Sequence, residues 1–217
     1  MKSPDKSGRG TRRRVPPFHA GRQLGAAPSR RSAAVTGGKR QVARRGRPRL
    51  SRYPSVTIRR AEPADVPAIT DIYNEAILTT TATFDTEPKS VAERTQWLQS
   101  HDERHPVLVA VVDSKVVGWA SLTRWSERRA YDDAAEPSFY VHSTHRARGI
   151  GRELQDAIIA EARRLRFHTL IARVAEGSRE SLHLSESAGF VHVGALKEVG
   201  RKFGRLLDVH IMQKMLD

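Results

Sequence analysis

Arg146-Ala147-Arg148-Gly149-Ile150-Gly151 has the residue types and spacing of a loop that cradles an anion. Small residues let successive backbone amides turn into one concavity, and a helix starting there adds partial positive charge suited to phosphate. No Gly-Lys-Ser/Thr follows, so this is not a Walker A loop, and the acidic ribose partner of a dinucleotide fold is missing. A diphosphate fits such a loop, although a Gly-x-Gly before a helix is, alone, also an ordinary tight turn. Ten residues upstream stands Glu136, a side chain able to accept a proton. His142-x-x-His145 lacks a third ligand at useful spacing, so no metal site is expected. The chain of 217 residues has no cysteine, which removes thiolate nucleophiles, disulfides and Cys-based metal sites.

The elements around these residues fix their positions. Val56 to Arg59 alternates as a strand, and Ala64 to Ile77 carries apolar residues at helical spacing. Ser90-Val91-Ala92-Glu93 is a capping box opening a helix that holds Trp97 and Leu98. Pro106 to Val112 and Val116 to Leu122 form a hairpin around Asp113-Ser114-Lys115. A polar loop over Thr123 to Ala135 leads to a strand at Ser138 to His142, then to a helix carrying Ile150, Leu154, Ala157, Ile158 and Leu165 on one face. Thr169 to Val174 is a strand. Ser178 caps a short helix that Gly189 ends. Val191 to Val199 and Leu206 to Met215 make a second hairpin around Lys202 to Arg205. The order βααβββαβαββ specifies an α/β domain with helices against a mixed sheet.

Charge divides the chain at about residue 52. Residues 1–52 hold 16 of the 38 Lys/Arg and a single acid, Asp5, whereas residues 53–217 hold 22 basic and 23 acidic side chains. The first segment has too few apolar residues to offset the entropy of ordering and reads as a basic disordered tail. It fits a solvated extension, a tether to nucleic acid, or, less well, an organelle presequence. Residues 53–217 read as the folded domain. No apolar run reaches membrane-spanning length, so a soluble, cytoplasmic protein is expected.

Glu136-Pro137-Ser138-Phe139-Tyr140-Val141-His142, the Arg-x-x-Gly-x-Gly loop, Ser181-Leu182-His183-Leu184 and Ala188-Gly189-Phe190 occur in the order seen in GCN5-related N-acetyltransferases, which the chain resembles over residues 56–216. Ile72-Tyr73-Asn74, Thr83-Phe84-Asp85-Thr86-Glu87-Pro88, Pro106 to Ala110 and Val199 to Arg205 are similar to the phosphinothricin N-acetyltransferase branch, whose members acetylate glutamine-like and methionine-like amines. The resemblance implies a mixed, mostly antiparallel sheet that splays at its central parallel pair, with acetyl-CoA as co-substrate and no metal. It places the pantetheine arm on Phe139, Tyr140 and Val141. The diphosphate falls on Arg146, Ala147, Arg148, Gly149, Ile150 and Gly151, with Ser178 and Ser185 beside the cofactor arm. Glu136 falls at the family's general base, with a pKa raised by partial withdrawal from water. Tyr73, Phe84, Tyr131, Asp132, Asp133, Lys202 and Arg205 fall around the acceptor.

Several positions depart from the family pattern. Pro137 and Ser178 replace its usual His and Asn, and Ser185 replaces the His or Tyr that can protonate the departing sulfur. His183 is no substitute, because two residues along a helix points elsewhere. Asp132 and Asp133 stand where Arg and His are common. They would repel an acceptor carboxylate unless paired with Arg128, Arg129 or Arg205. The expected reaction is direct acetyl transfer, within a ternary complex, to the primary amine of a small amino-acid-like compound of phosphinothricin or methionine-sulfone type. Two alternatives stay open: an acetyl-CoA-binding module with weak or lost catalysis, and an acetyltransferase of protein N-termini or lysines. The expected partners are a small amine substrate and a second copy in a homodimer. Nucleic acid enters only through the tail, and no membrane contact is expected.

Overall fold

Val107–Val112 (β2) and Lys115–Arg124 (β3) are joined through Asp113 and Ser114, both at positive φ (47° and 62°), a turn whose twist matches that of paired strands. The computed structural model describes residues 55–216. The expected basic tail and the boundary at Tyr53-Pro54 lie outside the described residues. Within them the expected element order holds. Strand β1 (Thr57–Arg60) is followed by helix α1 (Val66–Thr79), which starts two residues later than expected, after a short 3-10 turn over Pro63–Asp65. Helix α2 (Val91–Gln99) opens on the capping box: the Ser90 hydroxyl accepts from the Glu93 amide at 3.2 Å, and the Ser90 amide donates to Glu93 Oε2 at 2.7 Å.

Strand β4 (Ala134–Val141), helix α3 (Ile150–Arg164), strand β5 (Thr169–Ala175), helix α4 (Arg179–Ser187) and the hairpin of β6 (Val191–Lys202) and β7 (Arg205–Met215) complete the domain. The seven strands form one sheet in the order β1-β2-β3-β4-β5-β7-β6. Every neighbouring pair is antiparallel except β4 with β5. Helix α3 lays Leu154, Ile158 and Ala162 over one face, against Ala120, Leu122, Ala135, Leu170 and Met212. On the other face Ile69 and Ile72 of α1 meet Val107, Val109 and Trp119. Side chains of a strand alternate between faces, so this division decides which residues of β4 and β5 can meet an acceptor.

One boundary corrects the sequence reading. β4 begins at Ala134, not at Ser138, so Glu136 and Pro137 lie inside the strand. Proline inside a run normally argues against a strand because it has no amide to donate. Here Leu122, opposite Pro137, donates its amide to Pro106, away from β4. Pro137 therefore sits at a position whose missing N–H would have pointed toward β5, just past the last paired residues, where no strand partner remains to need it.

Gly118 lets β3, β4 and α3 close on one another. A Cβ there would lie 2.9 Å from the Tyr140 carbonyl oxygen and 3.0 Å from Leu154 Cδ1. Because the first of these is backbone, Gly118→Ala is expected to cost about 1–3 kcal/mol of unfolding free energy. Urea denaturation measures it, and a variant as stable as the parent would contradict this packing.

Candidate active site

The only parallel strands in the described sheet stay paired for two residues, Ala134 opposite Thr169 and Ala135 opposite Leu170. Beyond them β4 remains on β3 and β5 remains on β7, and a cleft opens between the two halves of the sheet. Residues 137–140 and 172–175 form its walls, with Ala82 and the serines Ser178, Ser181 and Ser185 around it.

Backbone direction decides what each wall offers. The His142 amide donates to the Val117 carbonyl, so even-numbered residues of β4 pair with β3. By alternation Phe139 turns its amide and carbonyl, and Val141 its amide, into the opening, where a linear amide chain can pair with them as an added strand. This refines the expected trio, because the backbone of Tyr140 is directed toward Trp119 on β3.

At the end of β4 the anion loop has the expected form. Ala147 and Gly149 both adopt positive φ (58° and 87°), and Gly149 is the N-cap of α3. A helix leaves its first amides without internal acceptors, so Ile150 and Gly151 present theirs outward. Arg146 Nε donates to the Val141 carbonyl at 3.1 Å and so fixes the loop to the strand end. Open strand edge, turned loop and helix start lie in sequence along one path. Their donors and acceptors suit the amides and diphosphate of coenzyme A.

Arg173, in the wall of the cleft, makes a pairing absent from the sequence reading. Ala135, Ala172 and Val174 face α3, so Glu136 and Arg173 project to the opposite face. There Arg173 Nε donates to Glu136 Oε1 at 2.8 Å and Nη2 to Oε2 at 2.6 Å. No charged partner is named for this carboxylate in the sequence reading. The Glu136 side chain is only 12% exposed, but it is bridged by an arginine that is itself 58% exposed. The hydrogen bonds that Arg173 donates to Glu136 also raise the guanidinium pKa above its ordinary value. Alternation places Arg173 on this face, but nothing in the sequence selects Glu136 as its partner.

On the same face lies a buried polar cluster. The Tyr73 hydroxyl donates to Asp85 Oδ2 at 2.9 Å and lies 3.0 Å from Thr83 Oγ1. Lys202, almost fully buried, donates from Nζ to the Thr83 carbonyl at 2.7 Å, which fastens the loop after α1 to the β6–β7 hairpin. Phe84 lies so close over Gly200 that a Cβ there would overlap its ring. Burial raises the pKa of the Tyr73 and Tyr140 hydroxyls, which therefore stay neutral at physiological pH. Burial lowers that of Lys202, with Asp85 opposing the shift. Arg94, missed in the sequence, stacks 3.5 Å above the Trp97 ring, and desolvation lowers its pKa to about 10.

Other expected residues fall elsewhere. Asp133 pairs with Arg104 at 2.7 Å and Asp132 approaches Arg124 at 3.8 Å, in place of the expected Arg128, Arg129 or Arg205. Neither acid lines the cleft, nor do Tyr131 (45% exposed), Arg205, Tyr73, Phe84, Lys202 or Glu136 itself, which reaches it through Arg173. Ser178 occupies the N-cap of α4, but its hydroxyl makes no capping bond because its backbone is not extended (φ −91°, ψ 61°). Ser185 is buried on the cleft and His183 is exposed, as helical geometry requires. Among the described residues no group of three or more His, Asp or Glu could hold a metal ion, and no helix is long and apolar enough to cross a membrane.

Residues 58–211 match the model of the acetyltransferase (GNAT) domain family. The chain is 38% identical over 163 residues to phosphinothricin N-acetyltransferase of Alcaligenes faecalis, covering 74% of this chain and 83% of that one. The solved structure of yncA from Salmonella typhimurium with its cofactor acetyl-CoA superposes with TM-score 0.73 and 37% identity, covering 75% of this chain and 94% of that one. A ribosomal-protein-alanine N-acetyltransferase from Brucella melitensis superposes with TM-score 0.72 and 42% identity, covering 74% and 99%.

Proposed function

This chain belongs to the GNAT acetyltransferases, and from that premise we propose that it acetylates the primary amine of a small amino acid of phosphinothricin or methionine-sulfone type. Acetyl-CoA is the acetyl donor of this enzyme family, and its thioester supplies the acyl group. The observation that carries the reading is the cleft at the β4–β5 divergence. It opens along the unpaired backbone edge at Phe139, and Arg173 in its other wall bridges to Glu136.

In this reading the amides of the 146–151 loop hold the diphosphate, and Phe139 and Val141 hold the amide arm in line with the opening. Ser185 lies beside the arm near the sulfur and Ser178 at the mouth of α4. Glu136 accepts the proton that the amine must lose, directly or through one water. The amine nitrogen then bonds to the acyl carbon as the carbon–sulfur bond breaks. The nitrogen then sheds its second proton, which reaches the departing thiolate through water, so Ser185 need not act as an acid. Tyr73, Phe84 and Lys202 shape the acceptor side. With no cysteine in the chain, direct transfer in a ternary complex is the simplest course.

The Brucella neighbour, by its name a ribosomal-protein-alanine N-acetyltransferase, gives an alanine of a protein as a second acceptor class. The cleft favours the small one, because Lys202 and Phe84 draw the 79–89 loop onto the β6–β7 hairpin beside it. Thiol release from acetyl-CoA, measured with phosphinothricin, methionine sulfone and an alanine-started peptide, is expected to be fastest with an amino acid and to give intersecting initial-velocity lines. Preference for the peptide would assign the second class, and no amine-dependent release would leave a cofactor-binding module. The exposed Val191, Val193, Leu196 and Val199 of β6 support a homodimer. Light scattering should then give twice the chain mass, and a monomer at micromolar concentration would oppose it.

A further inference from the structure

The Glu136–Arg173 pair has a feature that a structural ion pair does not need: its two members differ sharply in freedom. Glu136 is shielded in β4, next to Pro137 where the cleft wall begins, whereas Arg173 reaches it from the facing wall with most of its side chain in solvent. Behind the guanidinium the Trp125 ring lies 5.9 Å away, a surface along which it can move. While Arg173 is in place both carboxylate oxygens accept its hydrogen bonds, so an incoming amine must displace it.

An α-amino acid carries a cation and an anion on one carbon, and this is the charge pattern that complements such a pair. Its ammonium replaces the guanidinium at Glu136, and its carboxylate offers Arg173 the same planar, two-oxygen acceptor that Glu136 gave up. Neither charge is left unpaired on insertion. A simple amine would satisfy Glu136 but leave Arg173 without its anion, and a simple acid would do the reverse. Arg173 is the cation that lines the cleft; Lys202 donates to the Thr83 carbonyl, and Arg94 lies buried over Trp97 with no hydrogen-bond partner at Nε and Nη2. Asp132 and Asp133 are paired outside the cleft.

We propose that Glu136 and Arg173 together form a receptor for the zwitterionic head of an α-amino acid, in which Arg173 swings from Glu136 to the acceptor's carboxylate. Arg173 is then a specificity-determining residue that also releases the base when the correct acceptor arrives. The proposal rests on the amine-acetyltransferase reading for its turnover, though not for its binding.

The test compares wild type, Arg173→Ala and Arg173→Lys with L-methionine sulfone and with its carboxamide, which keeps the amine and removes the anion. Arg173→Ala is expected to lower kcat/KM for the acid about 30–100-fold, mainly through KM, because a charge-assisted bidentate contact is lost. For the carboxamide kcat/KM should rise, because the amine no longer has to displace a guanidinium that is left without an anion. Arg173→Lys should recover part of the loss for the acid. Calorimetric binding of methionine sulfone should weaken in parallel, while the Kd of acetyl-CoA holds. Equal losses for both acceptors, or none for either, would overturn the receptor and leave Arg173 a clasp between β4 and β5. If wild type turns over no amine yet binds methionine sulfone through Arg173, the receptor stands and the transferase reading falls.

Discussion

Replacing Glu136 by Gln is expected to lower kcat by about 10²–10⁴-fold while the Kd of acetyl-CoA stays unchanged. Glutamine keeps the shape of the side chain and a carbonyl oxygen for Arg173, but it cannot take up the proton that the amine releases. Neither the cofactor path along Phe139 and Val141 nor the 146–151 loop uses the Glu136 side chain. The deficit should shrink as pH rises toward the pKa of the acceptor amine, where deprotonated amine no longer needs a base. Steady-state rates from neutral pH upward, with calorimetry for acetyl-CoA, measure both arms. A glutamine variant with full activity at neutral pH would reduce Glu136 to a partner of Arg173.

The second large effect concerns the anion loop. Gly151 lies in the first turn of α3, where an added Cβ meets only Leu184 at 3.5 Å and Val141 at 3.8 Å, so substitution there need not unfold the domain. A carboxylate at this place would meet the diphosphate with like charge and cover amides that otherwise reach it. Gly151→Glu should therefore raise the KM for acetyl-CoA by about 10²-fold or more, the scale of a few kcal/mol of charge repulsion. Gly149→Glu adds backbone strain, since Gly149 sits at φ 87°. An unchanged KM in a folded Gly151→Glu variant would remove the loop from cofactor binding.

What the sequence made legible here was local. The capping box, the Asp113-Ser114 and Phe203-Gly204 turns and the apolar stripe of α3 are each set by neighbouring residues, and all appear in the fold. The start of β4 was hidden because Pro137 breaks a strand pattern. The proline is accepted only because β5 has already diverged, a tertiary fact. Carboxylate partners were equally hidden. Glu136 pairs with Arg173 at a separation of 37 residues, and Asp133 with Arg104 at 29. Chain alternation can assign a face to each of these residues but cannot choose among the many arginines that share it. The acceptor side was half legible: Tyr73 of α1 and Lys202 of the hairpin meet at Thr83 in the loop that carries Phe84, whereas Asp132 and Asp133 are drawn to Arg124 and Arg104 instead.

The central claim is acetyl transfer from acetyl-CoA to the amine of a small amino acid held at Glu136. Mass spectrometry of L-methionine sulfone incubated with the enzyme and acetyl-CoA, with free thiol counted in the same reaction, tests it most directly. The account predicts one thiol released per molecule of N-acetylated amino acid, with the enzyme's own mass unchanged throughout. Thiol release without N-acetylated product, or an acetylated enzyme accumulating before product, would contradict it.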